Sequence, residues 1–146
     1  MVQLGHDQLP FDQITEDDCH SLDKAWHVLH YLMTGSEVES DGPLGFLLSG
    51  GLSVGVQVGG GDMVPRVFLT DKAATIAEQI SGLAVETLAE RFNWPEMMRR
   101  QVYPEIRIAE RFPQQLWNDY LGQFFLLREF LQETKAMQRG FTVSFG

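Results

Sequence analysis

Leu22-Asp23-Lys24-Ala25-Trp26-His27-Val28-Leu29-His30-Tyr31-Leu32-Met33-Thr34-Gly35 is the stretch on which the reading of this chain turns. Apolar side chains at Leu22, Ala25, Trp26, Leu29, Leu32 and Met33 recur at helical spacing, which predicts a helix over residues 22–34. Ser21 stands at the N-cap of that helix, where a hydroxyl accepts from a first-turn backbone N–H. Gly35 stands where a left-handed C-cap is wanted. On such a helix Asp23, His27 and His30 fall at i, i+4 and i+7, one face, with His20 a further turn upstream.

Outward from this segment the chain divides unevenly. Residues 1–20 are acidic and aperiodic, with Pro10 and the run Thr15-Glu16-Asp17-Asp18 marking a turn and a helix start. Residues 35–62 form a glycine-rich loop and strand region that holds nine of the fourteen glycines. Within it Phe46-Leu47-Leu48 and the alternating Val54, Val56 and Val58 read as short strands or loop edges, and Gly59-Gly60-Gly61 as a turn. Residues 64–69 follow, with Pro65 restricting them to an edge strand. Thr70 then caps a helix over 71–80, with Asp71 favourably placed in its first turn. Ser81-Gly82 breaks it, residues 83–92 continue helically, and Asn93-Trp94-Pro95 starts another helix that Tyr103-Pro104 ends.

Pro113 opens the longest helix, 114–137, and Gly140 precedes an alternating terminal strand, Phe141–Phe145. Leu116, Tyr120, Phe124, Leu127 and Leu131 make one stripe of the long helix. Trp117, Leu121, Phe125, Leu126 and Phe130 widen it beyond one face. A helix apolar over most of its girth is central to a core or covered by a second subunit, so a homodimer is the alternative to a monomer core. Gly122 inside it costs about 1 kcal/mol relative to alanine, which a close-packed neighbour would justify.

A chain of 146 residues suits one domain spanning 1–146, and its 44% hydrophobic content suffices for a core. The formal charge of −9 is concentrated. Residues 1–42 hold nine acids and one base, Lys24, whereas residues 43–146 hold eleven acids and ten bases. A leading lobe at −8 disfavours a nucleic-acid or anionic-membrane partner and suits a basic protein partner. The one cysteine, Cys19, permits neither an internal disulfide nor a multi-cysteine zinc site. No apolar run approaches the roughly 20 residues of a membrane span, and the polar first 20 residues are unlike a signal peptide. The expected compartment is a reducing cytoplasm. The tetrapeptide Ala-Glu-Arg-Phe occurs at 89–92 and 109–112 with different sequels, a coincidence rather than a repeat.

Chemical motifs are mostly incomplete. Gly51-Leu52-Ser53-Val54-Gly55 matches G-x-S-x-G, but a nucleophile elbow needs a helix after it and a histidine later in the chain. All four histidines (6, 20, 27 and 30) precede Ser53. No phosphate-binding lysine motif and no G-x-G-x-x-G occurs, so no cofactor is expected. Asp23, His27 and His30 are the best constellation, able in principle to hold a divalent metal or to pair acid with base. H-x-x-H alone lacks the general-base glutamate of the zinc motif, and Trp26 beside it suggests packing, so no metal is expected. Cys19 lies in an acidic setting, which raises a thiol pKa and makes a reactive thiolate improbable. Arg91, Arg99, Arg100, Arg107 and Arg111 are interleaved with Glu90, Glu96, Glu105 and Glu110 and with aromatic residues. The region is therefore nearly neutral and reads as a salt-bridged surface, or as a face turned to the acidic leading lobe.

Several of these segments together resemble the YfbM-like family, a bacterial family of unknown function. Leu22-Asp23-Lys24-Ala25-Trp26 through His30 and Thr34-Gly35 is similar to its LDK-x-W…H…TG segment. Pro43-Leu44 before the glycine-rich stretch, Phe68-Leu69-Thr70 opening a helix, Tyr103-Pro104, and the aromatic helix ending at Gly140 before a last strand also fit. The resemblance runs from about residue 20 to 146. It implies a single compact α+β domain, with several helices packed on a small sheet and a long C-terminal helix followed by a terminal strand. It implies no activity. Two departures stand out. Residues 1–6 keep only a remnant of the family's opening strand, and His27 falls where the family motif does not demand histidine.

Two functional readings follow. The first is a small non-enzymatic interaction module, antidote-like, that binds a basic protein. The second is a small ligand-binding protein or enzyme using the helix face of Asp23, Trp26, His27 and His30 beside the glycine-rich loop. Asp23, Lys24, Trp26, His27, His30 and Thr34 are the candidate ligand or partner residues in either case.

Overall fold

The structure is a computed structural model that describes residues 2–6, 19–54, 64–102 and 112–145. Among these, Val2–His6 (β1), Cys19–Asp23 (β2), Leu52–Ser53 (β3), Arg66–Phe68 (β4) and Phe141–Phe145 (β5) form one antiparallel sheet, in the order β2-β1-β5-β4-β3. The helices are Trp26–Thr34 (α1), Thr70–Ser81 (α2), Val85–Arg91 (α3), Trp94–Arg99 (α4) and Pro113–Ala136 (α5), with a 3-10 turn at Pro43–Gly45. This is a compact α+β fold.

Strand periodicity explains how the layers meet. Leu4 pairs with both His20 and Val143, Arg66 with Val143, and Phe68 with Phe141. Side chains alternate across a strand, so these residues and Leu22 share one face. Leu4, Leu22, Phe68, Phe141 and Val143 are buried there. Phe141 lies parallel to Phe68 at 4.9 Å and meets Phe46 and Phe130 edge-on at 5.7 and 6.5 Å. Strand β5, last in sequence, sits at the middle of the sheet and joins the β1–β2 pair to the β3–β4 pair. The short N-terminal segment that resembled only a remnant is thus a full strand with neighbours on both sides.

The deciding stretch splits in two. The first two residues of the expected helix, Leu22 and Asp23, end strand β2, and α1 begins only at Trp26. Ser21 is therefore a strand residue and not an N-cap. The reason is pairing with β1. Leu22 at 1% exposure points inward while Ser21 and Asp23 are exposed, a period of two that overrides the helical spacing. Asp23 then takes a left-handed φ of 46°, and Ala25 N–H donates to Leu22 O at 2.8 Å, turning the chain into the helix. Gly35 ends α1 with φ 76°, as its position predicts.

Elsewhere the differences are local. Phe46-Leu47-Leu48 is a turn after the 3-10 segment rather than a strand, with Phe46 and Leu47 buried. Strand β4 is internal, because Pro65 precedes it and contributes only its carbonyl, which accepts from Val54 N–H at 2.9 Å. Helix α2 starts at Thr70, with Leu69 as its cap residue, so the Thr70 hydroxyl caps nothing. Asn93 does cap α4, its Oδ1 accepting from Glu96 N–H at 3.2 Å, and Pro95 sits in the second helical position. Thr15 to Asp18, Val56, Val58, Gly59 to Gly61, Tyr103-Pro104, Arg107, Arg111 and the first three residues of the second Ala-Glu-Arg-Phe lie outside the described residues.

Helix α5 buries one face only: Phe124, Leu127, Phe130, Leu131 and Thr134. Phe125 is 38% exposed and Leu126 50%, so the expectation of a helix buried around its girth is corrected. Gly122 meets no close neighbour among the described residues. A Cβ built there would have nothing within 4 Å. No helix among the described residues is long and apolar enough to cross a membrane.

Candidate functional site

The residues expected on one helical face do not converge. Asp23 is exposed at the end of β2, not on α1, so the i, i+4, i+7 arrangement with His27 and His30 does not form. His20 belongs to β2 and lies parallel to the Phe130 ring at 6.1 Å. Burial pushes its pKa below the ordinary value.

The two α1 histidines turn towards the loop after the helix. His27 Nε2 donates to Glu37 O and His30 Nε2 to Val38 O, each at 2.7 Å. A carbonyl only accepts, so Nε2 carries the proton in both rings. In His30, which is fully buried, Nδ1 is left as a bare lone pair without a partner among the described residues. Burial lowers the His30 pKa, the bond to Val38 opposes that, and the charge of His27 adds to the lowering. Thr34 Oγ1 donates to His30 O at 2.8 Å and accepts from Ser36 N–H at 3.1 Å, which turns the chain into the loop. Trp26 stacks on His27 and meets Phe145 edge-on at 5.4 Å, tying the helix start to β5. These side chains clamp residues 36–38 onto α1. Among the described residues no three His, Cys, Asp or Glu side chains gather as a metal cage requires.

The arginines complete the clamp from the other side. Arg91 Nη1 donates to Leu32 O at 2.9 Å and Met33 O at 2.7 Å, placing a cation on the last-turn carbonyls of α1. Arg100 pairs with Glu37 at 2.9 Å and Glu96 at 2.7 Å and lies 5.8 Å from the Tyr31 ring centre. Arg99 binds the same Glu96, and the bonds from Arg99 and then Arg100 hold that carboxyl down to about 2. Part of the arginine cluster therefore does face the acidic leading lobe.

Two concave features lie beside the predicted site segments. The first is a groove of about 400 Å³ between the β2–α1 turn and α5, lined by Leu22, Asp23, Lys24, Ala25, Leu116, Asp119, Tyr120 and Gln123. Asp23 and Asp119 are exposed along it. Burial, and then Asp119, raises the Tyr120 pKa, so its hydroxyl stays protonated. The second is a pocket of about 270 Å³ between the glycine-rich loop and α2, lined by Gly42, Pro43, Phe46, Ser49, Gly50, Gly51, Phe68, Lys72, Thr75 and Ile76. The glycine-rich loop thus builds its pocket with α2, not with the α1 histidines.

Arg66 is the residue that sequence reasoning missed. It is 8% exposed, and its guanidinium donates to Gly50 O at 3.1 Å and Leu47 O at 2.7 Å. It thereby fixes the wall of the second pocket. Burial lowers its pKa, and nearby Glu39 opposes that. The available signal was its place in Pro65-Arg66-Val67-Phe68, two residues from Phe68 and so on the same inward face. Ser53 is an exposed residue of β3 paired with Arg66, not the apex of an elbow.

The comparisons agree with this architecture. The chain is similar to the crystal structure of YfbM, a protein of unknown function from Escherichia coli, with a TM-score of 0.72 and 17% sequence identity. The match covers 97% of this chain and 98% of that one, a likeness of fold. No curated protein matches the chain. The family model described as a domain of unknown function, DUF1877, matches residues 6–143, and the chain belongs to that family.

Proposed function

We propose that this chain is a non-enzymatic interaction module of the cytoplasm, whose partner is a basic protein that sets a cationic side chain into the groove between the β2–α1 turn and α5. The observation that carries this reading is the pair of exposed carboxylates, Asp23 and Asp119, brought to one groove from elements almost a hundred residues apart. Asp23 is held at the groove by its left-handed backbone, a conformation with a steric cost for any residue but glycine. Opposite charge speeds association and sets register more than it adds raw affinity. The concentration of negative charge in the first 42 residues acts in the same direction. The catalytic alternative is less supported, since Asp23 does not join His27 and His30 on one face and both histidines donate to backbone carbonyls.

The test is retention of basic proteins from the native host by the purified chain at low and high salt. The expected result is a specific basic partner retained at low salt and weakened by salt. Replacing Asp23→Lys together with Asp119→Lys should reduce retention at least tenfold while the thermal melt of the chain is unchanged. Retention that ignores both substitutions, or no retained basic protein at low salt, would overturn the reading.

A further inference from the structure

The pocket between the glycine-rich loop and α2 carries chemistry that the interaction surface does not use. Its floor is aromatic. Phe46 and Phe68 meet edge-on with ring centres 6.2 Å apart, and Ile76 of α2 faces them across the pocket. Its wall is bare. Gly50 and Gly51 both have left-handed φ, 81° and 73°, and a Cβ on Gly51 would press on the Phe68 ring at 3.1 Å and on Val67 O at 2.9 Å. Any side chain there would press into the space beside the edge of the buried Phe68 ring.

Lys72 is the one charged side chain lining the pocket among the described residues, and Glu39 lies near Arg66 behind the wall. Lys72 makes no ion pair among the described residues. Arg66 stands behind the wall, 5.6 Å from the Phe68 ring centre, and locks the wall through the carbonyls of Leu47 and Gly50. No carboxylate lines the pocket among the described residues. At about 270 Å³ it lies just under the usual range of small-molecule sites, about 300–1,000 Å³, which limits the occupant to a single ring.

From this geometry we infer a binding site for a small aromatic monocarboxylate, its ring against Phe46 and Phe68 and its carboxylate on Lys72. Burial of the ring supplies most of the binding. The ion pair at the exposed Lys72 adds a modest increment and disfavours neutral or cationic analogues. Arg66 is a positioning residue that holds the wall.

Phenylacetate is the probe, titrated against the full chain with amide chemical shifts as the readout. Saturable shifts are expected at Gly50, Gly51 and Phe68. Phenylacetamide should bind about fivefold more weakly, as should phenylacetate to Lys72→Met, while Lys72→Arg restores the affinity. Thr75→Phe, at an exposed α2 position lining the pocket, should abolish the shifts without altering the melt. Equal binding of acid and amide, binding indifferent to Thr75→Phe, or no saturable shift at millimolar phenylacetate would each overturn the inference. None of these outcomes touches the Asp23–Asp119 groove, so the two readings fail separately.

Discussion

Helix α1 has nine residues and buries six of them in an unbroken run from Val28 to Met33, whereas α5 has 24 residues and buries five on one stripe. The shorter helix is enclosed. It contacts α3, the 3-10 turn and α5, and residues 36–38 close over its histidines. The longer helix lies across the outside of the core, packed against α2 and β2, with Phe125 and Leu126 facing solvent. Apolar girth in a sequence is therefore not the same as burial. What encloses a helix is the share of its length and girth that its neighbours cover, since three elements meet each helix but α1 is far the shorter. A buried helix can carry N–H donors if each finds a carbonyl, as the Nε2–H groups of His27 and His30 do.

The sharpest way to break this contrast is a pair of truncations. Leu29→Ala on α1 removes a side chain at 0% exposure and should cost about 2–5 kcal/mol in urea denaturation. Leu126→Ala on α5 should stay within about 0.5 kcal/mol. If Leu126→Ala costs as much as Leu29→Ala, and does so increasingly with protein concentration, a second copy covers α5 and the outer face is a dimer interface.

That pair also shows what the sequence could and could not display. Helix α5, the terminal strand and Gly35 were legible because their signals are local: Pro113 opens the helix, and the alternation of Phe141–Phe145 needs no partner to be recognised. The 19–25 segment was not legible, because Leu22 and Ala25 stand at helical spacing and the strand is chosen by pairing with β1, more than a dozen residues away. The candidate face failed with it, since Asp23 could join His27 and His30 only on a longer helix. Arg66 was hidden for another reason. A cation satisfied by backbone carbonyls leaves no complementary acid in the sequence to mark it.

A second test concerns the polar group inside α1. His30→Leu deprives Val38 O of its imidazole donor and should cost about 1–3 kcal/mol at pH 7. The pH dependence has a definite sign. Burial lowers the folded-state pKa of His30, so below about 6.5 the unfolded chain binds the proton first. More protons on the unfolded chain means that stability rises with pH, so stability is lost as pH falls through 6.5 towards the lowered folded value. His20, shifted in the same direction, adds to the effect. Urea midpoints measured from pH 7 to 5.5 should fall in the parent chain and fall less in His30→Leu, so that the gap between them narrows on acidification. A gap that stays constant would mean that His30 keeps an ordinary pKa and that α1 is less enclosed than its contacts indicate.

The smallest expected effect probes the exposed side of α5. Gly122 was expected to admit a close-packed neighbour, but its surroundings are open and its backbone is helical. Nothing then offsets the entropic cost of glycine in a helix interior. Gly122→Ala should raise stability by about 0.5–1 kcal/mol, about 2–4 °C in Tm for a domain of this size. The gain should be independent of protein concentration. A loss instead would mean that another surface comes within a methyl group of the helix at this point. Because the described residues offer none there, such a loss would place a further covering surface on the same face as Phe125 and Leu126.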